Sequence, residues 1–213
     1  MKTDFAASAL LAVTLLAAMA ATHAATVDVS ELEANDSLAS AQLLAPLAPG
    51  QSGYRVTGLR TDAPGFGPTV DASADHFRFF VPGGSLLGLD VRVTSSAPGS
   101  NRDPLLYLYD ALGGVLAFDD NSGIDFGARI AAFPILAGGD YIVAVTGFGD
   151  AGDIDNGGNG ILTGIGGDAN FAYQLSIDIA PQVVPLPGSA ALLLAGAALM
   201  TGFGGMRKER RRG

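Results

Sequence analysis

An antiparallel β-sandwich of about eight strands, jelly-roll-like in character, is the fold this sequence predicts, on three observations. Apolar residues alternate with polar ones at the period of strands. The apolar runs are 5 to 9 residues long and are separated by Gly, Pro, Asn, Asp and Ser, in a chain with 30 glycines and 11 prolines. Outside the two ends, one short segment alone has helical spacing. Short strands joined by turn chemistry are the signature of a sandwich rather than of a helical or α/β domain.

In chain order, the first segment is residues 1–24. Lys2 supplies a positive start, Phe5 to Ala21 is apolar, and Thr22-His23-Ala24 fits cleavage between Ala24 and Ala25, although Asp4 is an unusual acid there. This reads as an export signal. Residues 25–183 form the expected domain. Ser37 to Leu47 has helical spacing, ended by Pro46 and Pro49. The eight predicted strands are 54–59, 75–81, 87–93, 105–109, 114–118, 128–133, 141–147 and 171–179. In the second, Phe77, Phe79 and Val81 share one face, opposite His76, Arg78 and Phe80; in the third, Leu89, Val91 and Val93 oppose Asp90 and Arg92.

Residues 184–213 form a tail in three parts. Val184-Pro185-Leu186-Pro187-Gly188 comes first, the uncharged stretch 189–206 second, and the basic run from Arg207 to Arg212 third. As a helix the 18 uncharged residues reach about 27 Å, roughly one hydrocarbon core. The basic run would stay on the cytoplasmic side and leave the domain outside. This order resembles the PEP-CTERM class of bacterial sorting signals, in its Val-Pro-Leu-Pro variant, with Gly188 where that variant usually has Ala. The resemblance implies an inner-membrane tethered intermediate and removal of the tail by an exosortase. An ordinary permanent anchor is the alternative.

Charge narrows the function classes. Of the 21 acids, Asp4 and Glu209 lie in the end segments, leaving 19; of the 12 Lys and Arg, six arginines remain (Arg55, Arg60, Arg78, Arg92, Arg102, Arg129), so residues 25–183 carry about −13. A nucleic-acid partner is excluded on that count, because binding a phosphate backbone needs a cationic surface. Divalent cations are favoured instead. There is no cysteine, hence no disulfide and no thiol chemistry.

Seven pieces in sequence order resemble the bacterial pre-peptidase C-terminal (PPC) domain. They are Glu31 to Ser37; Gly58-Leu59; Asp71 to Asp75 with Phe77-Arg78-Phe79; Asp103 to Asp110; Asp119-Asp120-Asn121; Gly139 to Val145; and Tyr173-Gln174-Leu175. The resemblance implies a non-catalytic accessory β-sandwich whose relatives hold calcium between an acidic N-terminal segment and the start of a core strand. The matching positions are Glu31, Glu33, Asn35, Asp36, Asp71 and Asp75. Departures from the pattern are the insert 61–70 and the Gly/Asp-rich loop 147–168. The chemistry suits calcium, a hard ion that takes six to eight oxygens. Equally, Asn35-Asp36-Ser37 is suited to capping the short helix, with the glutamates solvated.

Other candidates rank lower. Asp150 to Gly160 is rich in oxygen ligands but lacks EF-hand spacing, and reads as a flexible surface loop before a calcium loop. Asp119 to Gly123 reads as a turn. Tyr107, Tyr109, Tyr141 and Tyr173 read as packing residues before a ligand platform. His76 is the one histidine after signal cleavage, expected at a solvent-facing or edge position. With no Gly-x-Ser-x-Gly elbow and no His-Glu-x-x-His, an enzyme is not expected. The expectation is an exported, non-enzymatic envelope or matrix protein associated with the cell surface or exopolysaccharide. The alternatives are a calcium-dependent adhesion module for a polysaccharide or matrix protein, and a small secreted hydrolase using His76.

Overall fold

The structure, a computed structural model, describes residues 24–61, 74–164 and 170–182. The chain divides into Met1–Pro181 and Gln182–Gly213, and the sandwich lies in the first unit. The expected signal segment (but for Ala24), Asp71, the sorting motif Val184 to Gly188 and the apolar stretch 189–206 lie outside the described residues. Among the described residues no helix is long and apolar enough to cross a membrane.

Ten strands form two five-stranded sheets. They are β1 (Ala25–Ser30), β2 (Gln42–Leu43), β3 (Gln51–Arg60), β4 (Asp75–Val81), β5 (Ser85–Ser96), β6 (Pro104–Asp110), β7 (Val115–Asp119), β8 (Arg129–Ile135), β9 (Gly139–Gly147) and β10 (Phe171–Pro181). One sheet has the order β1-β3-β10-β5-β8 and the other β2-β4-β9-β6-β7. All eight predicted strands are present. Pairing is antiparallel except at one edge of each sheet, where β1 runs parallel to β3 and β2 to β4.

The core lies between the sheets. Phe77, Phe79, Val81, Leu106, Leu108, Val143 and Val145 come from one, and Val56, Leu87, Leu89, Val91, Leu175 and Ile177 from the other, all buried. The alternation read in β4 and β5 therefore points the predicted face inward. Burying each of these side chains favours folding by about 1.5–3 kcal/mol before the entropy of ordering the chain is counted. A second, smaller cluster covers the other face of the β4-β9-β6 sheet: Leu105, Tyr107, Tyr109, Ile142 and Ala144 pack under Leu162, with Phe148 and Ile154 beside them.

Three expectations need correction. Ser37 to Leu47 is not a helix: residues 37–40 form a turn, and Gln42–Leu43 pair with Phe77 and Arg78 of β4. The serines hold the turn, Ser37 Oγ lying 2.8 Å from Ser40 Oγ, and short hydroxyl side chains that bond locally compete with a helix. His76 is neither solvent-facing nor at an edge; it is 2% exposed, because residues 148–162 roof the face it points to. That roof is the loop read as flexible surface. Its Asp150 and Asp153 are buried, and Tyr109 Oη donates to Gly160 O at 2.8 Å while Ile154 N donates to Tyr107 Oη at 2.9 Å.

Candidate metal centre

β1 ends at Ser30, and Glu31 follows directly, its N–H donating to Thr57 O at 3.0 Å. That bond continues the parallel β1/β3 ladder by one step and fixes where the Glu31 side chain leaves the sheet. Its carboxylate is then held from three sides. Leu59 N donates to Oε2 at 2.8 Å, Tyr173 Oη to Oε1 at 2.9 Å, and Asn35 Nδ2 to Oε1 at 3.4 Å.

Tyr173 reaches Glu31 because of Gly58. The two residues face each other across the β3/β10 pair, and a Cβ on Gly58 would stand 2.2 Å from the Tyr173 ring. Only glycine lets the ring lie across the strand. Burial, followed by the charges of Asp75 and Glu31, raises the pKa of the phenol well above 10.0. Tyr173 is therefore a neutral donor at any physiological pH.

Asp75, the first residue of β4, is fully buried. Its neighbour His76 ties β4 to the acidic segment: His76 N donates to Asn35 O at 3.0 Å, and Nδ1 lies 2.8 Å from Ala74 O and 3.2 Å from Asn35 O. Two carbonyls facing Nδ1 select the tautomer with its proton there. Burial lowers the pKa of His76 below 6.5, against the raising effect of those carbonyls and of Asp150 and Asp36.

These constraints bring one oxygen each from Glu31, Glu33 and Asp75 within 4.8 Å of one another. Two oxygens on opposite sides of a calcium ion stand about 4.6–5.2 Å apart, twice its bond length, so one ion is within reach of all three. Asn35 is fully buried beside them, and its Oδ1 has no hydrogen-bond partner among the described residues. The three carboxylates form an all-oxygen donor set, the chemistry calcium takes, and Asn35 meets that set through its Nδ2 on Glu31.

Of the predicted ligands, then, the structure gathers Glu31, Glu33, Asn35 and Asp75. Asp36 is exposed and stands apart from that group. With no helix after Ser37, the capping role for Asn35-Asp36-Ser37 falls away. Sequence reasoning missed Tyr173 and Leu59 as the groups that orient Glu31. A glycine inside a strand, opposite an aromatic, was the available signal.

The other acidic run is built differently. Asp150 accepts from Thr146 Oγ1 at 2.7 Å, Gly152 N at 2.9 Å, Thr163 N at 3.1 Å and Gly164 N at 2.6 Å. Asp153 accepts from Asp155 N at 3.0 Å and from Asn156 Nδ2. Asp119 Oδ1 accepts from Ser122 N and Arg129 N, both at 2.8 Å, and closes the predicted turn. Tyr107, Tyr109 and Tyr173 are buried, as their packing role requires.

No protein-family model and no curated protein matches the sequence. Among solved structures, the chain is similar to the pre-peptidase C-terminal domain of a collagenase from Bacillus anthracis, with TM-score 0.36 and 13% identity over 65% of this chain and 94% of that one. It is also similar to PliG, a periplasmic inhibitor of g-type lysozyme from Aeromonas hydrophila, with TM-score 0.33 and 11% identity over 73% of this chain and 99% of that one. Likeness at that level establishes neither a family nor a function.

Proposed function

We propose that this chain is an exported, non-catalytic β-sandwich whose acidic N-terminal segment is locked to the core by a calcium ion held by Glu31, Glu33, Asn35 and Asp75. Three carboxylates whose oxygens lie within 4.8 Å of one another, next to a buried asparagine, carry this reading. Asp71, before β4, is a further ligand candidate by sequence. Bound calcium would offset the mutual repulsion of the carboxylates and fasten β1 to β4, which belong to different sheets. The burial of His76, with Nδ1 turned to two backbone carbonyls, supports a non-catalytic role over a hydrolase. Melting curves of the purified protein in calcium and in chelator test the ion directly; coincident curves refute it.

Export and sorting rest on the ends of the sequence. Cleavage after Ala24 would leave β1 whole, since the strand opens at Ala25. The Val184 to Gly188 motif, the apolar stretch and the basic run are in the order an exosortase substrate needs, giving a membrane-tethered intermediate and then a cell-surface or matrix protein. Intact mass of the protein recovered from outside the inner membrane tests this. A mass still containing Arg210 to Arg212 overturns processing.

A further inference from the structure

The loop before β6 and the turn at 124–127 flank an open cleft of about 630 Å³, lined by Ser100, Asn101, Arg102, Asp103, Asp125 and Phe126 and sharing no residue with the carboxylate cluster. Its size is that of a small-molecule site rather than of a surface wrinkle. Two of its lining residues are held at a cost. Asp125 and Phe126 are the central pair of the turn closed by Gly127 N to Ile124 O at 2.9 Å, and both have left-handed backbones, with φ of 53° and 63°. Such turns favour Asn-Gly, and a bulky residue at positive φ is an outlier.

Phe126 gains no burial in return, being 69% exposed. The turn is seated closely against β5. A Cβ on Gly127 would stand 2.4 Å from Val91 O, and one on Gly123 2.5 Å from Gly127 O. An aromatic ring kept strained, exposed and rigid on the rim of a cavity is an observation from which function is properly inferred. Asp103 lines the cavity, and its Oδ1 is shielded from solvent without a hydrogen-bond partner among the described residues. Burial, then the charges of Asp120 and Asp153, raises the pKa of Asp103 above 3.8.

We infer that this cavity binds a neutral sugar ring of an oligosaccharide, with Phe126 against its apolar face and Asp103, Asn101 and Arg102 on its hydroxyls. Charge selects that class. Arg102 disfavours a cation, and Asp103 and Asp125 disfavour an anion. A carboxylate, an amide and a guanidinium are the planar, multivalent groups that pair with adjacent hydroxyls.

The test uses amide NMR spectra of the isotope-labelled full chain titrated to millimolar concentration with cellohexaose, laminarihexaose and maltohexaose, with hexagalacturonate and hexalysine as charged comparisons. At least one neutral hexaose is expected to shift the resonances of Asp103, Asp125 and Phe126. Phe126→Gly should weaken that binding about tenfold or more, the loss of one aromatic contact. The same change should raise the melting temperature, because glycine relieves the left-handed strain; this separates lost contact from misfolding. Phe126→Trp should retain binding, and Asp103→Asn should weaken it. The inference is overturned if no neutral hexaose shifts these residues, if the shifts survive Phe126→Gly, or if only a charged probe binds.

Discussion

Replacing Asp75 with Asn should change stability in opposite directions according to whether calcium is present. Without the ion, Glu31 and Asp75, when both are ionised, are like charges with oxygens no more than 4.8 Å apart. At that distance the repulsion is about 0.9 kcal/mol in a water-like dielectric and about 3.5 kcal/mol at an effective dielectric of about 20. Asp75 is fully buried and Glu31 partly so, which places the pair between those limits. Asn removes the charge at nearly unchanged volume. In chelator the variant should therefore melt above the wild type. A gain of 1–3 kcal/mol corresponds to roughly 2–12 °C for a domain of this size.

In calcium the order should reverse. An ion that binds only the folded state adds RT ln(1 + [L]/Kd), about 2.7 kcal/mol at a hundredfold excess over Kd, or roughly 5–11 °C. The wild type gains this and the variant does not. Magnesium should give much less, since its bonds of about 2.0–2.1 Å span only about 4.2 Å and it gives up water reluctantly. Calorimetric scans of both proteins, each in calcium, magnesium and chelator, read the crossing. Wild-type curves that superimpose in calcium and chelator would refute the reasoning, and so would a variant less stable than wild type in both.

Two further outcomes follow from the same geometry. Gly58→Ala should cost about 1–3 kcal/mol in urea unfolding, because its Cβ would stand 2.2 Å from the Tyr173 ring, and it should also diminish the calcium response by releasing Glu31 from Tyr173. His76 has its pKa lowered mainly by burial, so below about pH 6.5 the unfolded chain binds a proton the folded one refuses; stability then falls as pH drops, by at most about 1.4 kcal/mol per pH unit. In His76→Gln, urea midpoints measured from about pH 8 to about pH 5 should lack that component, and profiles identical to wild type would exclude it.

The strands were legible because alternation survives burial on one face, as in Phe77, Phe79 and Val81. β1 escaped notice because it is a half-exposed edge strand, and β2 because two residues carry no period. The helical spacing of Ser37 to Leu47 was real but weak. A serine pair bonding locally and a neighbouring strand with free backbone groups outcompeted it. Burial of His76 was not legible, since it depends on a segment rich in glycine and aspartate whose packed apolar side chains are few, Phe148, Ile154 and Leu162. The carboxylates were found through the order of motifs. Nothing local in the sequence says that Glu31 and Asp75 meet; the meeting depends on the register of β1 on β3 and on the ring of Tyr173 lying over Gly58.

Two groups of carboxylates among the described residues differ in what their oxygens face. An ionised carboxylate offers about four lone-pair sites. Asp150 has four good donors at 2.6–3.1 Å, three of them backbone N–H groups, and is saturated by the loop it organises. A cation there would have to displace them. Glu31, Glu33 and Asp75 instead bring oxygens of three separate side chains within 4.8 Å of one another. The distinction predicts how Asp150→Asn behaves. An amide NH2 would replace one acceptor oxygen and face donors already aimed at it, leaving buried N–H groups unpaired at about 1–3 kcal/mol each. That destabilisation should have the same size in calcium and in chelator, unlike the effect of Asp75→Asn, which changes sign. If the Asp150→Asn loss appears only in calcium, the loop carries the ion and the assignment of the metal to Glu31, Glu33, Asn35 and Asp75 fails.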